Sequence, residues 1–287
     1  MSDSARELYD RLAATIAPRR RLLTAFSGGV DSTVVAVAAR RVLGRAHAPA
    51  AIGDSRSLPR RELEEARGLA EKLDLELLTV DPGEQSDPNY QANAGDRCYH
   101  CKTHLYRALT AAAADRGIEH IANGTNCDDL GDHRPGLTAA TEATVVSPLV
   151  EAGLNKQDVR RVAAHLQLPN ADKPAAACLA SRLPYRTRVT SRRLEQVEQA
   201  EAALGTLGLR GFRVRYHGPV ARVELPEAQF EQAMEACLRR KIVEAVKQAG
   251  FSYVCLDLEG FRSGSGNILL ESPPPAAAIE NLRGAVP

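Results

Sequence analysis

The strongest structural signal in this chain is the heptapeptide Ser27-Gly28-Gly29-Val30-Asp31-Ser32-Thr33. It follows an apolar run, residues 22–26, that predicts a buried strand, and it precedes apolar residues at helical spacing. Its glycines let backbone N–H groups approach an anion, and a helix start and hydroxyls add positive potential and donors. The Gly-x-x-x-x-Gly-Lys spacing of a Walker A loop is absent. We therefore predict a phosphate-binding loop; the Gly-Gly pair alone would equally fit a turn before a capped helix.

Around this loop, strand patterns alternate with helix patterns. We predict strands at 48–52, 75–80 and 118–122, and helices around 63–73 and 105–112. A further helix begins at Asn155, with Asp158 at the capping-box position. This alternation predicts an α/β fold with a doubly wound, mostly parallel sheet covered on both faces.

The pattern changes near residue 170, where a stretch rich in Pro, Ala, Ser and Arg begins. Beyond it we predict a helix at 191–204, a hairpin at 211–225, a helix at 227–249 and a strand at 251–257. The predicted organisation is a phosphate-binding domain at 1–170, a linker and active-site segment at 171–188, a smaller C-terminal α+β domain at 189–270, and a flexible tail at 271–287.

Composition limits the function classes. The 287 residues are 44% apolar and 25% charged, which is ordinary globular usage and excludes a disordered or disulfide-stapled chain. Lys and Arg number 37 against 36 acidic residues, so the charge gives no footprint of nucleic-acid binding. No segment has the ~18 consecutive apolar residues of a membrane span, and the polar N-terminus lacks a signal core. We expect a cytoplasmic protein, in which six cysteines are thiols, metal ligands or reactants.

Two cysteines form a C-x-x-C pair, Cys98 and Cys101. Such a pair is shared by redox dithiols, zinc half-sites and iron–sulfur half-sites. The redox interpretation is weak because no thioredoxin-like strand precedes the pair. A zinc site would need a further ligand, which His100 or His104 would supply.

Charged residues in the second domain also stand in informative positions. Arg213 and Arg215 are two apart on a predicted strand and share a face, which suits a phosphate, although a solvated sheet face is the alternative. Glu201 lies on the apolar stripe of helix 191–204. A carboxylate there is either paired, with Arg213 or Arg215, or a metal ligand.

The heptapeptide resembles the loop of the PP-loop ATP pyrophosphatase superfamily. Five later segments, in this order and spacing, resemble the LarE family of ATP-dependent sulfur transferases of nickel-pincer nucleotide biosynthesis. They begin with Asp96, Asn123, Cys178, Phe212 and Asp257, and span 96–102, 123–136, 178–185, 212–217 and 257–264. The resemblance covers about residues 5–270.

The resemblance implies an adenine nucleotide alpha hydrolase-like fold. It also implies that a carboxylate of pyridinium-3,5-biscarboxylic acid mononucleotide is adenylated by ATP with Mg²⁺, and that sulfur then displaces AMP. The implied ATP-binding residues are Ser27, Gly28, Gly29, Asp31, Ser32, Thr33, Asn123, Gly124, Asp128 and Arg134. Ser181, Arg182, Arg213 and Arg215 would bind the substrate.

Sulfur delivery follows one of two routes in such a family. The three cysteines Cys98, Cys101 and Cys178 match members that carry a [4Fe–4S] cluster, whereas the alternative is a sacrificial Cys178 that donates its own sulfur. Glu201 and Glu231 would be acidic metal ligands, although the sequence from Gln229 to Gln232 departs from the expected pattern. Arg186 stands where the family pattern expects Gly. We expect Cys127, Cys237 and Cys255 to be buried thiols.

The resemblance and the residues leave rival functions open. A tRNA thiolase of the same superfamily would need a basic surface, which the near-neutral charge disfavours. A non-enzymatic nucleotide-binding regulator is the third hypothesis. We expect a small-molecule nucleotide substrate, sulfide or a cysteine desulfurase as sulfur source, a homo-oligomer, and neither membrane nor nucleic-acid partners.

Overall fold

The computed structural model describes residues 3–131, 135–174 and 176–262. The described residues form two compact units, the first within Met1–Tyr90 and Asp96–Ala177 and the second within Gln91–Gly95 and Cys178–Pro287. The predictions for Arg134 and for the tail at 271–287 lie outside the described residues. Within the described part of the chain, no helix has both the length and the apolar character needed to cross a bilayer.

The first unit is built on a four-stranded sheet whose strands are all parallel, in the order β3-β2-β1-β4. The strands are β1 Leu23–Ala25, β2 Ala50–Gly53, β3 Leu77–Val80 and β4 Ile121–Ala122. Thr24 on β1 pairs with Ala50 on β2 and with Ala122 on β4. This confirms the predicted parallel sheet, with strands shorter than the apolar runs that marked them.

Eight helices accompany these four strands in chain order over the described residues. They are α1 Ala5–Ile16, α2 Val30–Leu43, α3 Arg60–Lys72, α4 Pro88–Ala92, α5 Arg97–Ala114, α6 Pro135–Glu142, α7 Pro148–Glu151 and α8 Lys156–His165. The capping box predicted for α8 is present, with reciprocal bonds between Asn155 and Asp158. The short α4, α6 and α7 lack enough turns for helical periodicity to reveal them.

Both faces of the sheet are covered, as the alternation predicted. Successive strand residues point to opposite faces, so Ile52 packs with Val34, Leu63 and Val159 of α2, α3 and α8 in one buried cluster. Ala51 instead belongs to a second cluster, with Leu23 and buried residues of α5 and α6. The carboxyl ends of the strands therefore emerge between two packed helical layers.

The second unit contains a three-stranded sheet in the order β5-β6-β7. Its strands are β5 Arg213–His217, β6 Val220–Glu224 and β7 Tyr253–Leu256. The hairpin β5–β6 is antiparallel, as predicted, and β7 runs parallel to β6. Helix α9, Ser191–Thr206, buries Leu194, Val197, Ala200 and Leu204.

The helix predicted at 227–249 is wrong as a single element. It is divided into α10 Phe230–Met234 and α11 Ala236–Gln248, because Glu235 adopts an extended backbone (φ −55°, ψ 133°) and becomes the N-cap of α11. No Gly or Pro stands there, so nothing local in the sequence marks the break.

Candidate active site

The predicted phosphate loop lies between β1 and α2, at the carboxyl end of the sheet. Gly28 has a φ of +72°, which disfavours residues with a Cβ, and a Cβ there would lie 2.8 Å from that of Ala66 on α3. The loop's closeness to α3 therefore requires glycine. The helix start that follows adds positive potential where an anion would bind.

Hydroxyl groups of the loop hold its shape. Ser32 Oγ accepts a hydrogen bond from Ser27 N (3.2 Å) and donates to Gly29 O (3.1 Å), and Thr33 Oγ1 also donates to Gly29 O (2.8 Å). Asn170 adds a bond that no sequence pattern indicated. Its buried Nδ2 donates to Gly28 O and lies 3.0 Å from Thr33 Oγ1.

A second loop, residues 123–131 after β4, packs against the start of α2. A Cβ on Gly124 would lie 2.6 Å from Ser32 N, so only glycine allows this approach. Asn126 Nδ2 donates to Asp31 Oδ1 (3.2 Å) and links the two loops. Asn123 is buried, and its Oδ1 accepts from Ser147 Oγ (3.0 Å). The structure thus brings together Asp31, Asn123 and Gly124, as ligands of one phosphate site would be.

Lys156 at the first position of α8 completes this arrangement. Its Nζ lies 2.5 Å from Asp31 Oδ2, and its backbone N–H donates to Asp128 Oδ2 (3.0 Å). The sequence analysis missed this residue. A signal existed, since a lysine in the first turn of a helix opposes the helix dipole and calls for a compensating negative group.

The second unit contains a separate polar cluster around a buried arginine. Arg182 donates to both carboxylate oxygens of Glu201, through Nε (3.0 Å) and Nη2 (3.1 Å). Glu201 Oε1 also accepts from Val214 N (3.0 Å). Of the two alternatives predicted for Glu201, an ion pair or a metal ligand, the structure contains an ion pair, but its partner is Arg182 rather than Arg213 or Arg215. The role of Glu201 as a metal ligand stays a prediction.

The two strand arginines lie in different environments. Arg215 is buried, with Nη2 2.8 Å from Glu224 Oε2 and Nη1 donating to Ser181 O (2.9 Å). Arg213 is half-buried, with its guanidinium 5.0 Å from the centre of the Phe261 ring. Burial, followed by the nearby Arg182, lowers the pKa of Arg213. Neither arginine lies on a freely solvated sheet face.

Comparison of the sequence with known proteins identifies the family of this chain. The NAD synthase family profile matches residues 7–97, which include the phosphate loop. The pyridinium-3,5-bisthiocarboxylic acid mononucleotide synthase of Lactiplantibacillus plantarum is 38% identical over 256 residues, which are 89% of this chain and 92% of that protein. The chain belongs to the LarE family. This confirms the predicted family, and with it the assignment of the chain as an enzyme, an ATP-dependent sulfur transferase of the PP-loop type.

Two further relatives match this chain over very different lengths. An uncharacterized protein of Synechocystis sp. is 42% identical over 250 residues, covering 87% of this chain and 93% of that protein. The GMP synthase (glutamine-hydrolyzing) of Aeropyrum pernix is 34% identical over 124 residues, 40% of this chain and 23% of that protein. The similarity to GMP synthase is therefore partial.

The cysteines that the LarE resemblance singled out are divided between the two units. Cys98 and Cys101 lie on the first turns of α5, where a spacing of three places them on one face; Cys98 is exposed and Cys101 partly buried. Cys178 is partly buried and precedes a 3₁₀ turn, Leu179–Arg182, where its carbonyl accepts from Ser181 Oγ (2.7 Å). Over the described residues, no group of three or more His, Cys, Asp or Glu is placed to hold a metal ion.

The remaining cysteines correct a prediction. Cys237 and Cys255 are exposed rather than buried, because the first precedes the core-facing positions of α11 and the second lies on β7 at the edge of its sheet. Cys127 is partly buried, and burial, with Asp128 and Asp158, raises the pKa of its thiol. Glu231, predicted as a metal ligand, is exposed on α10.

Proposed function

We propose that the chain uses ATP to activate carboxylates of pyridinium-3,5-biscarboxylic acid mononucleotide and replaces an oxygen of each with sulfur. The observation that carries the proposal is the position of Asp31, at the start of α2 between Lys156 Nζ and Asn126 Nδ2. A carboxylate and an ammonium group thus lie beside the first-turn amides of a helix, an arrangement that supports phosphate binding. The name of the L. plantarum relative supplies the product chemistry.

The first step is adenylation. A substrate carboxylate oxygen attacks the α-phosphorus of ATP, the bond from the α-phosphorus to the bridging oxygen breaks, and pyrophosphate leaves. Loop amides and Lys156 would balance the charge on the phosphates. ATP would bring Mg²⁺, and the carboxylates of Asp31 and Asp128, which both contact Lys156, would be its candidate protein ligands.

The second step replaces AMP. A sulfur nucleophile attacks the acyl carbon, the carbon–oxygen bond to the phosphate breaks, and AMP leaves with its electron pair. A phosphate ester leaves far more readily than an oxide, which is why activation comes first. Repetition on the other carboxylate gives the bisthiocarboxylate. Sulfide or a cysteine desulfurase would supply the sulfur, and a homo-oligomer would be the working form.

Substrate binding belongs to the second unit in this proposal. Arg213 and Arg215, with Ser181 and Arg182, would hold the substrate phosphate. Arg213 is the better placed of the two strand arginines, because Arg215 already contacts Glu224 and Ser181 O. Arg182, fixed by Glu201, would position the segment that carries Ser181 and Cys178.

For sulfur delivery, we propose that Cys98, Cys101 and Cys178 hold a [4Fe–4S] cluster. The helical spacing of Cys98 and Cys101 fits two ligands of one centre. When bound, a cluster with three protein thiolates supplies an iron that can carry an extra sulfide. Glu201 would stabilise Arg182 in this scheme, since both its oxygens are already engaged, and Glu231 remains a candidate acidic ligand.

Pyrophosphate exchange tests the adenylation step. Exchange of labelled pyrophosphate into ATP should require the pyridinium biscarboxylate and should be abolished in Asp31→Ala. Arg213→Ala should raise the KM for this substrate about 10- to 150-fold, the value of a hydrogen bond to a charged group, with the KM for ATP little changed. Arg210→Ala, an exposed arginine of the same unit, is the matched control. Exchange without the carboxylate substrate would reject the proposal.

Iron and acid-labile sulfide analysis after anaerobic purification tests the cluster. We expect a brown protein with about four irons per chain, and iron loss in Cys98→Ala, Cys101→Ala and Cys178→Ala but not in Cys237→Ala. An iron-free protein that transfers sulfur once, while Cys178 loses the mass of H₂S, would replace the cluster with the sacrificial route.

A further inference from the structure

A second basic site lies in the second unit, at the start of α9. A cavity of about 500 Å³ opens there, lined by residues of α9, of the segment before it and of the hairpin turn. Three of the lining side chains are arginines, Arg188, Arg192 and Arg193, and no Asp or Glu lines it among the described residues. The positive charge of these arginines is therefore not neutralised by any acidic residue that lines the cavity among the described residues.

Two of these arginines are held in place by neighbours that leave their charge unpaired. Arg193 Nη1 donates to Arg188 O (2.6 Å), and its guanidinium lies 5.4 Å from the centre of the Tyr216 ring. Arg188 Nε donates to the amide oxygen of Gln91 (3.1 Å). A carbonyl, a ring and an amide orient a guanidinium without cancelling its charge, so both remain able to bind an anion.

The third arginine, Arg192, is exposed in the first turn of α9. Within the described residues, none of the three arginines forms an ion pair. The side chain of the N-cap Thr190 accepts from Arg193 N (3.3 Å), whereas the first-turn amides of Ser191 and Arg192 have no intrahelical acceptor, as at any helix start. The dipole of a 16-residue helix adds to the arginine charge at this point.

We propose that this cavity binds the phosphate group of a phosphorylated small molecule of about mononucleotide size. Three guanidiniums and a helix start match a dianion with three terminal oxygens better than a carboxylate, which one arginine fork satisfies. The cavity is several times larger than phosphate itself and falls within the range of small-molecule sites. Gln196 and Ser252 offer further hydrogen bonds to the organic part. The inference rests on these residues alone and is independent of the proposed sulfur transfer.

Calorimetric titration of the full chain tests the site, with inorganic phosphate and AMP as probes at constant ionic strength. Arg192→Ala and Arg188→Ala should each weaken one phosphate-binding site at least 10-fold, whereas Arg239→Ala, an exposed arginine on α11, should leave it unchanged. Arg192 has no side-chain bond to lose within the described residues, so this variant should fold normally. Tighter binding of AMP than of phosphate would support a ligand of mononucleotide size, whereas equal binding of the two probes would reject that size and leave a site for the phosphate group alone.

Two results would overturn the proposal. One is wild-type affinity and stoichiometry for both probes in Arg192→Ala and Arg188→Ala. The other is a loss of retention on tRNA or heparin in these variants with phosphate binding intact, which would assign the arginines to nucleic acid. Failure of pyrophosphate exchange would leave this test unaffected, because the titration contains no pyridinium substrate.

Discussion

Replacement of Lys156 with alanine should reduce substrate-dependent pyrophosphate exchange strongly while leaving the fold intact. Lys156 Nζ lies 2.5 Å from Asp31 Oδ2, and the two side chains are 35% and 23% exposed. The pair is thus neither a surface pair, worth about 0–1 kcal/mol, nor a fully buried one, whose disruption costs about 3–5 kcal/mol. A charged hydrogen bond of about 1.5–3 kcal/mol is the appropriate scale.

That energy corresponds to roughly a 10- to 150-fold fall in kcat/KM for exchange. The free energy lost from kcat/KM should exceed the free energy lost from folding. Asp31 retains its hydrogen bond from Asn126 Nδ2, and the bond from the Lys156 backbone N–H to Asp128 does not depend on the lysine side chain. Lys156→Arg should retain more activity than Lys156→Ala, since it keeps the charge near the phosphates.

A second lysine of the same unit provides the control. Lys173 Nζ lies 2.7 Å from Glu62 and 3.0 Å from Glu65, so it is also paired with carboxylates, but these belong to α3 and not to the start of α2. Lys173→Ala should lower the thermal midpoint without a comparable fall in exchange. Wild-type exchange in Lys156→Ala would contradict a role for Lys156 at the phosphates, and so would a loss of activity in both variants only in proportion to their lost stability.

Three other substitutions test the geometry. Arg215→Ala should lower the free energy of unfolding by about 3 kcal/mol, because it leaves the buried Glu224 with one arginine fewer. Denaturant titration measures this free energy. Its recovery in the double variant Arg215→Ala/Glu224→Gln would show that the unpaired carboxylate causes the loss. Gly124→Ala should abolish exchange and destabilise by about 1–3 kcal/mol, since its Cβ would lie 2.6 Å from a backbone nitrogen; normal exchange would contradict the close loop packing. Cys127 should react with iodoacetamide more slowly than Cys237 near pH 8, because its pKa is raised and less thiolate is present; equal rates by mass spectrometry would contradict it.

Much of the first unit follows from local sequence signals. The apolar runs marked each strand, the glycines marked the phosphate loop, and Asn155 with Asp158 marked the start of α8. Each of these features depends on residues within a few positions of one another. The strand lengths were overestimated because an apolar residue at a strand end is buried whether or not it joins the ladder.

The long-range polar contacts were beyond the sequence. Asp31 and Lys156 are 125 positions apart, and Asn170 reaches Gly28 across 142. The sequence contains many polar residues that could partner each of these side chains. The actual partners are determined by how α8 and the residues after it pack beside the phosphate loop. Glu201 shows the same limit: its place on an apolar stripe predicted either a pair with Arg213 or Arg215 or a metal ligand, but not that Arg182 would be the partner.

The difference between Arg213 and Arg215 shows what the fold adds to a motif. Two arginines that are two residues apart on a strand share a face, and the sequence therefore predicted the same role for both of them. The register places Glu224 on β6 opposite Arg213, yet its carboxylate lies 2.8 Å from Arg215, and Arg222 shares the same buried group. Arg215 is thereby tied to the sheet, while Arg213 contacts a ring and a backbone carbonyl. In the proposed function, Arg215 would therefore hold the sheet in place while Arg213 would bind the substrate phosphate. Arg215→Ala should then mainly lower the free energy of unfolding, and Arg213→Ala should mainly lower the affinity for the substrate.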